Sequence, residues 1–119
     1  GRKPKLKTVT IFRKACLEYF EWVQANPLME LKVIAFQGDG YDHPTPKMRA
    51  PTLQGLWVFL GIGKSTWYDW KEKRKGCAEV MEYVEMVMYD WKFSGAAADM
   101  FNPNIIARDL GLKDSTDIT

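Results

Sequence analysis

The chain has 119 residues, enough for one compact domain, and its 46% hydrophobic content argues against a disordered protein. No apolar run approaches the roughly 20 residues that a membrane-spanning helix needs, so the sequence predicts no membrane partner. The net charge of +2 conceals an asymmetry: residues 1–75 contain 14 Lys and Arg against 7 Asp and Glu, whereas residues 76–119 contain 3 against 8. A polyanionic partner is therefore expected to bind the first 75 residues.

The first predicted helix can be capped by Thr8 or Thr10 and ends near Asn26, where Asn-Pro stops the helical pattern. A β-hairpin wing is predicted over residues 31–49. It contains strand-forming residues followed by a Gln-Gly-Asp-Gly turn at residues 37–40.

A helix, a sharp turn and a second helix are predicted next. Thr52 can cap the first of these helices, and Gly61 permits the left-handed backbone that a sharp turn needs. Ser65 or Thr66 can cap the second helix, which is predicted to run to about Lys73. This order is typical of the helix-turn-helix of DNA-binding proteins.

The second helix of this motif has an apolar face and an outer face. Trp67 and Trp70 are three residues apart and are predicted to face the core. The outer face, which in such motifs meets base edges, then carries Lys64, Ser65, Tyr68 and Asp69. The alternative is an ordinary helical hairpin with no DNA role, because Trp57 stands where such motifs usually have a small residue.

Two basic clusters flank this region and are predicted to hold DNA phosphates. The first cluster is an N-terminal arm that precedes the first acidic residue, and its alternative interpretation is a solvated tail. It consists of Arg2, Lys3, Lys5, Lys7, Arg13 and Lys14. The second cluster follows the predicted recognition helix and consists of Lys71, Lys73, Arg74 and Lys75.

Spacing argues against a catalytic, metal or cofactor site. The Gly-Lys-Ser at residues 63–65 resembles the end of a phosphate-binding loop, but Val58 occupies the position that needs glycine. Cys16 and Cys77 are interpreted as buried free thiols, since two cysteines and one histidine at these spacings do not make a zinc site. His43 is interpreted as a polar loop residue. We therefore expect no enzyme activity, no metal and no cofactor.

The last 44 residues are predicted to be helical. A helix runs from Cys77 to Phe93, and a second helix starts at Asn102-Pro103. Between them Ser94-Gly95 allows a bend, and the three alanines at residues 96–98 either continue the helix or permit close backbone approach. Glu79, Glu82 and Glu85 mark the solvent side of the first helix. The opposite, apolar side is assigned Val80, Met81, Tyr83, Val84, Val87, Met88 and Trp91, whereas Met86, Tyr89 and Phe93 lie among the charged residues. This helix is apolar over much of its circumference, which indicates either a subunit interface or a central core helix. The predicted interface residues are Met81, Val84, Met86, Met88, Tyr89, Trp91, Phe93, Ile105 and Ile106.

Five segments carry a family resemblance: CLEYFEWV at residues 16–23, ANPL at residues 25–28, KMRA at residues 47–50, KFSGAAAD at residues 92–99 and NIIARDLGLK at residues 104–113. Together they resemble the small terminase subunits of tailed bacteriophages, the DNA-packaging proteins, in the form found in headful-packaging podoviruses of Salmonella. The resembling segments extend over most of the chain. The motif at residues 52–75 resembles the family in spacing more than in identity.

The resemblance implies a mainly α fold, with a helix-turn-helix-like N-terminal region and a β-hairpin wing, followed by a helical hairpin for ring oligomerisation. Residues 1–75 would bind double-stranded viral DNA, and residues 76–119 would form a homo-oligomeric ring. Family members continue beyond the position equivalent to Thr119 into a C-terminal segment, which this sequence is expected to lack.

The implied function is recognition of the packaging-initiation site on concatemeric viral DNA in the host cytoplasm. The small subunit then recruits and regulates the large terminase subunit, which carries the ATPase and nuclease, and is itself not an enzyme. Two alternatives remain at this point. One is a dimeric helix-turn-helix transcription regulator, and the other is a structural ring platform without its own DNA binding.

Overall fold

The computed structural model describes residues 6–36 and 39–112, with the side chains of residues 32–43 described only in part. Over these residues the chain is mainly helical and carries one antiparallel hairpin after its first helix, as the sequence predicts. The elements are α1 (Val9–Ala25), β1 (Leu28–Phe36), β2 (Asp39–Lys47), α2 (Leu53–Leu60), α3 (Lys64–Lys73), α4 (Cys77–Ala97) and α5 (Pro103–Leu110).

Three helix starts are capped by the side chains that the sequence indicates. The Thr8 hydroxyl accepts a hydrogen bond from a backbone N–H of α1, and Thr52 does the same for α2. Asn102 accepts two backbone N–H groups at the start of α5, where Pro103 occupies the first turn. Each cap satisfies donors that the helix itself leaves unpaired, so these three predictions are confirmed.

One local prediction is wrong. The second helix of the predicted motif begins at Lys64, after Gly63, so neither Ser65 nor Thr66 is its cap. Of the two options that the sequence leaves after Phe93, the helix continues, and α4 extends to Ala97. Gly95 serves packing: a Cβ atom there would overlap the ring of Phe101, which folds back against the helix.

The hairpin begins three residues before its predicted start. Its strands pair antiparallel from Leu28 opposite Lys47 to Phe36 opposite Asp39. The strands contact each other far more than they contact any helix, so the hairpin extends away from the helical body. Met29 and Leu31 are exposed on one side of it.

The core forms where α1 packs against α2 on one side and α4 on the other. Tyr19 of α1 contacts Phe59 of α2, whereas Phe20 contacts Trp91 of α4, with ring centroids 5.6 and 5.9 Å apart. Trp67 of α3 is fully buried among these helices, in agreement with the sequence prediction. Burial of large apolar side chains supplies most of the stability of such a core.

The buried side of α4 belongs to this core. Met81, Val84 and Met88 are buried within the chain itself, and so is Ile106 of α5. Their burial favours the interpretation of α4 as a central core helix at these positions. Their predicted place in a subunit interface stays a prediction.

An ion pair joins α4 to α5. The ammonium of Lys92, which is buried, contacts a carboxylate oxygen of Asp109, which is half exposed. A buried cation needs such a partner, because removing it from water costs several kcal/mol when it is left alone. The pair therefore fixes the position of α5. None of the described helices is both long and apolar enough to cross a membrane.

Candidate nucleic-acid interface

A three-residue turn joins α2 to α3. Gly61 adopts the left-handed conformation, with φ of 74°, and its N–H donates to the carbonyls of Trp57 and Val58. Ile62 also donates to the Trp57 carbonyl, at 3.1 Å. The last carbonyls of α2 are thus satisfied, and the chain reverses directly into α3. This is the turn that the Gly61 prediction describes.

The crossing of α2 and α3 accommodates a large residue. The Trp57 ring lies between the two helices, 6.2 Å from the Trp67 ring and 6.3 Å from the Tyr68 ring. Gly55 instead allows α1 to approach α2 closely, since a Cβ at this position would lie 2.5 Å from the Tyr19 hydroxyl. The tryptophan that departs from the usual pattern therefore acts as a spacer between the helices of the motif.

The outer face of α3 is exposed but carries almost balanced charge. Lys64, Ser65, Tyr68 and Asp69 are all on the surface, as the sequence predicts. Asp69 pairs with Lys73 at 3.0 Å, one turn later. Exposed Glu72 adds a second carboxylate, which the predicted set of surface residues omits although its position four residues after Tyr68 places it on the same face. This face therefore attracts phosphate only weakly.

Besides Lys73, two further residues of the second basic cluster are engaged within the protein. Lys71 forms an ion pair with Glu85 of α4, with 3.0 Å between nitrogen and oxygen. Arg74 donates a hydrogen bond to the Leu6 carbonyl, and its guanidinium lies 4.6 Å from the centre of the Trp70 ring. To bind DNA phosphates as predicted, Lys71 and Arg74 would have to give up these internal contacts. Lys75 is exposed.

The fold brings the two predicted basic clusters together. The Arg74 bond to Leu6 places the start of α1 beside the end of α3, although the two lie 68 residues apart in sequence. Val9 packs against Gly76 at the same place. The exposed cations that lie near this contact in sequence are what we call the basic surface, and none of them makes an ion pair with another described residue. The basic surface consists of Lys7, Arg13, Lys14 and Lys75. The predicted arm residues Arg2, Lys3 and Lys5 lie outside the described residues.

Arg74 is expected to act on stability more than on DNA. Replacing Arg74 with alanine removes a charged hydrogen bond and the contact with the Trp70 ring, and should lower the free energy of unfolding by about 1–3 kcal/mol. Urea denaturation measures this change. Lys75→Ala, on the exposed residue next to it, is the matched control and should leave the unfolding midpoint nearly unchanged. Equal midpoints for the two variants would contradict the structural role of Arg74.

Thiol and metal chemistry do not define a site in the described part of the chain. Cys16 and Cys77 are free and buried, as predicted, and burial raises the pKa of Cys16 to about 12. Such a thiol stays protonated at neutral pH and is a poor nucleophile. Residues 6–36 and 39–112 contain no group of His, Cys, Asp or Glu placed to hold a metal ion.

The remaining predicted interface residues divide into exposed and half-buried. Met86, Tyr89 and Phe93 of α4 are exposed, as is Ile105 of α5, whereas Trp91 is half-buried against α1. Tyr83, assigned from the sequence to the apolar side of α4, is exposed as well. These positions leave a row of large side chains on the outside of α4.

Comparison with known proteins connects this arrangement to a biological process. The family described as DNA-packaging protein gp3 matches residues 1–118. The chain is 48% identical over 118 residues to the small terminase subunit of Salmonella phage P22. That match covers 99% of this chain and 72% of the phage P22 protein. Both the basic surface and the helices after it lie inside the matched region.

Proposed function

Since the chain belongs to the DNA-packaging gp3 family of small terminase subunits, we propose that it binds double-stranded viral DNA at the packaging-initiation site. It acts without a catalytic site of its own and recruits and regulates the large subunit, which carries the ATPase and nuclease. Its place of action is the host cytoplasm during phage assembly. The observation that carries this proposal is the match to the packaging family over residues 1–118.

The basic surface is the part of this chain that holds DNA phosphates in the proposal. Its four cations are exposed and come from both ends of the sequence region that carries the excess positive charge. Cations of this kind release counterions from DNA on binding and supply affinity without sequence information. Base contacts would come from Lys64, Ser65 and Tyr68 on the outer face of α3.

A ring of identical subunits compensates for weak individual contacts. The outer face of α3 is nearly neutral, so one copy is expected to bind DNA poorly. Several copies on one ring bind the same duplex with a high effective concentration, which raises the overall affinity without any new contact. The exposed row of large side chains on α4 is available for such an assembly.

A second candidate function follows from the same neutral face. In this alternative the chain is a structural ring that holds the large subunit, and DNA is bound by another protein or segment. The mixed charge of Asp69 and Glu72 beside Lys64 favours it. The two functions differ in one observable, which is whether this chain binds duplex DNA through its basic surface.

Replacing Lys7, Arg13, Lys14 and Lys75 together with alanine is expected to weaken binding to every duplex, whatever its sequence. The slope of log K against log salt should fall by about 1 for each phosphate that is no longer neutralised. Fluorescence anisotropy over a range of salt concentrations measures both effects. Lys47→Ala combined with Arg108→Ala, which removes surface cations elsewhere, is the control and should retain the slope. An unchanged slope in the fourfold variant would favour the structural platform.

A further inference from the structure

The outside of α4 carries a stripe of large side chains with acidic residues around them. Tyr83, Met86, Tyr89 and Phe93 recur every three or four residues and are each between 45% and 72% exposed. The Tyr89 and Phe93 rings stack on each other, 6.4 Å apart and nearly parallel. We call these four residues the α4 stripe. Such a row on the solvent side of a helix indicates a surface that another protein covers.

The acidic residues beside the α4 stripe determine which kind of partner surface can pack against it. Glu79, Glu82 and Asp90 are exposed on the same side of the helix, and none of them forms an ion pair with another described residue. By contrast, Glu85 is already paired with Lys71. Two copies that met stripe to stripe would bring these carboxylates together, which disfavours a two-fold dimer through this surface. The surface that fits the stripe is therefore apolar and positively charged.

A surface of this kind lies on the α2 side of α1. A groove of about 480 Å³ is lined by Trp22, Phe59 and Val58, with Tyr19 at its base. Val58 is 77% exposed, although it is aliphatic. The aromatic rings contact one another, with Trp22 and Phe59 centroids 6.2 Å apart. Large rigid side chains of this kind are typical of the anchor positions of protein interfaces.

Arg49 gives this groove its positive charge. Its Nε donates to the Asn26 carbonyl at 2.7 Å, and its guanidinium lies 5.0 Å from the centre of the Trp22 ring. No described carboxylate pairs with it, so its terminal nitrogens are available to a partner. The side chain is held in place before any partner binds, which reduces the entropy lost on association.

We propose that the α4 stripe of one subunit packs into the Trp22–Phe59 groove of the next, with Arg49 facing Glu82 or Asp90. This inference rests on the ring proposed above and specifies its contact. The stripe lies on α4 and the groove lies on the far side of α1. Each subunit therefore has a stripe for one neighbour and a groove for the other. When two different surfaces pair, a dimer still has one free copy of each surface and can add further subunits. The chain of subunits closes into a ring when the rotation between neighbours divides evenly into a full turn.

Two variants test the pairing, each damaging one half. Val58→Glu places a carboxylate in the groove, against the acids of the incoming stripe. Met86→Glu interrupts the stripe. Both positions are more than 70% exposed, so both variants should keep the wild-type circular dichroism spectrum and melting temperature. Native mass spectrometry should show the ring for the wild type and monomers for either variant alone. Met100→Glu, at an exposed methionine outside both surfaces, is the control and should retain the ring.

Mixing the two variants gives the decisive outcome. The intact groove of the Met86→Glu variant can bind the intact stripe of the Val58→Glu variant. The reverse contact, between the altered stripe and the altered groove, cannot form. The mixture should therefore form heterodimers and no ring. A ring that persists in the Val58→Glu variant, or a mixture that stays monomeric, would overturn the pairing while leaving the proposed function in place. A wild-type chain that is monomeric would overturn the ring itself, and DNA binding by the same sample would show whether the rest of the proposed function survives.

Discussion

Replacing Trp67 with alanine is expected to lower the free energy of unfolding by about 3–5 kcal/mol. The side chain is fully buried, and its ring lies 6.0 Å from Phe12 of α1 and 6.2 Å from Trp57 of α2. Removing it leaves a cavity where three helices meet, because the surrounding structure relaxes only partly. For a domain of this size a loss of that order is a large fraction of the total stability.

The neighbouring Tyr68→Ala variant is the matched control for this prediction. Tyr68 lies on the same helix but on its outer face, where nearly half of it is exposed. Urea denaturation should therefore give a much smaller loss of stability for Tyr68→Ala than for Trp67→Ala. If the two variants unfold at the same urea concentration, Trp67 does not hold the three helices together in the way the structure indicates.

The ion pair between α4 and α5 predicts an asymmetric result. Asp109→Ala leaves the Lys92 ammonium buried without a partner and should cost about 3 kcal/mol. Lys92→Met replaces the buried ammonium with an apolar side chain of similar length. It leaves only Asp109, which water already reaches, so this variant should be close to neutral. The two substitutions break the same ion pair, so they would have equal effects if only the attraction between the two charges mattered.

Thermal unfolding followed by circular dichroism measures this asymmetry. The double variant Lys92→Met/Asp109→Ala should resemble Lys92→Met, because the destabilising species is the unpaired buried cation. Equal decreases in stability for the two single variants, or a larger decrease for Lys92→Met, would show that Lys92 is not a buried cation that depends on Asp109.

The features that the sequence predicts correctly are those that depend on neighbouring residues. Thr8, Thr52 and Asn102 cap helices through hydrogen bonds to backbone groups two or three residues away. Gly61 turns the chain through its own backbone conformation. Hydrophobic spacing likewise places Trp67 on the buried face of α3, because three residues nearly complete one helical turn.

The features that the sequence does not predict depend on residues far apart in the chain. Arg74 belongs to a cluster of basic residues, yet it hydrogen-bonds Leu6 across 68 positions. A basic cluster in sequence therefore does not distinguish a phosphate contact from an internal one. The faces of α4, by contrast, follow from helical spacing. The sequence places Met81 and Met88 on the apolar side and Met86 among the charged residues, and the structure buries the first two and exposes the third.

Native mass spectrometry of the chain at near-physiological salt, with and without a short DNA duplex, tests both the proposed ring and its DNA binding in one experiment. We expect one oligomer larger than a dimer and a second peak in which that oligomer carries duplex. A ring that carries no duplex would leave the chain as a platform for the large subunit. A monomer or dimer that binds no DNA would contradict the proposed packaging function of this chain.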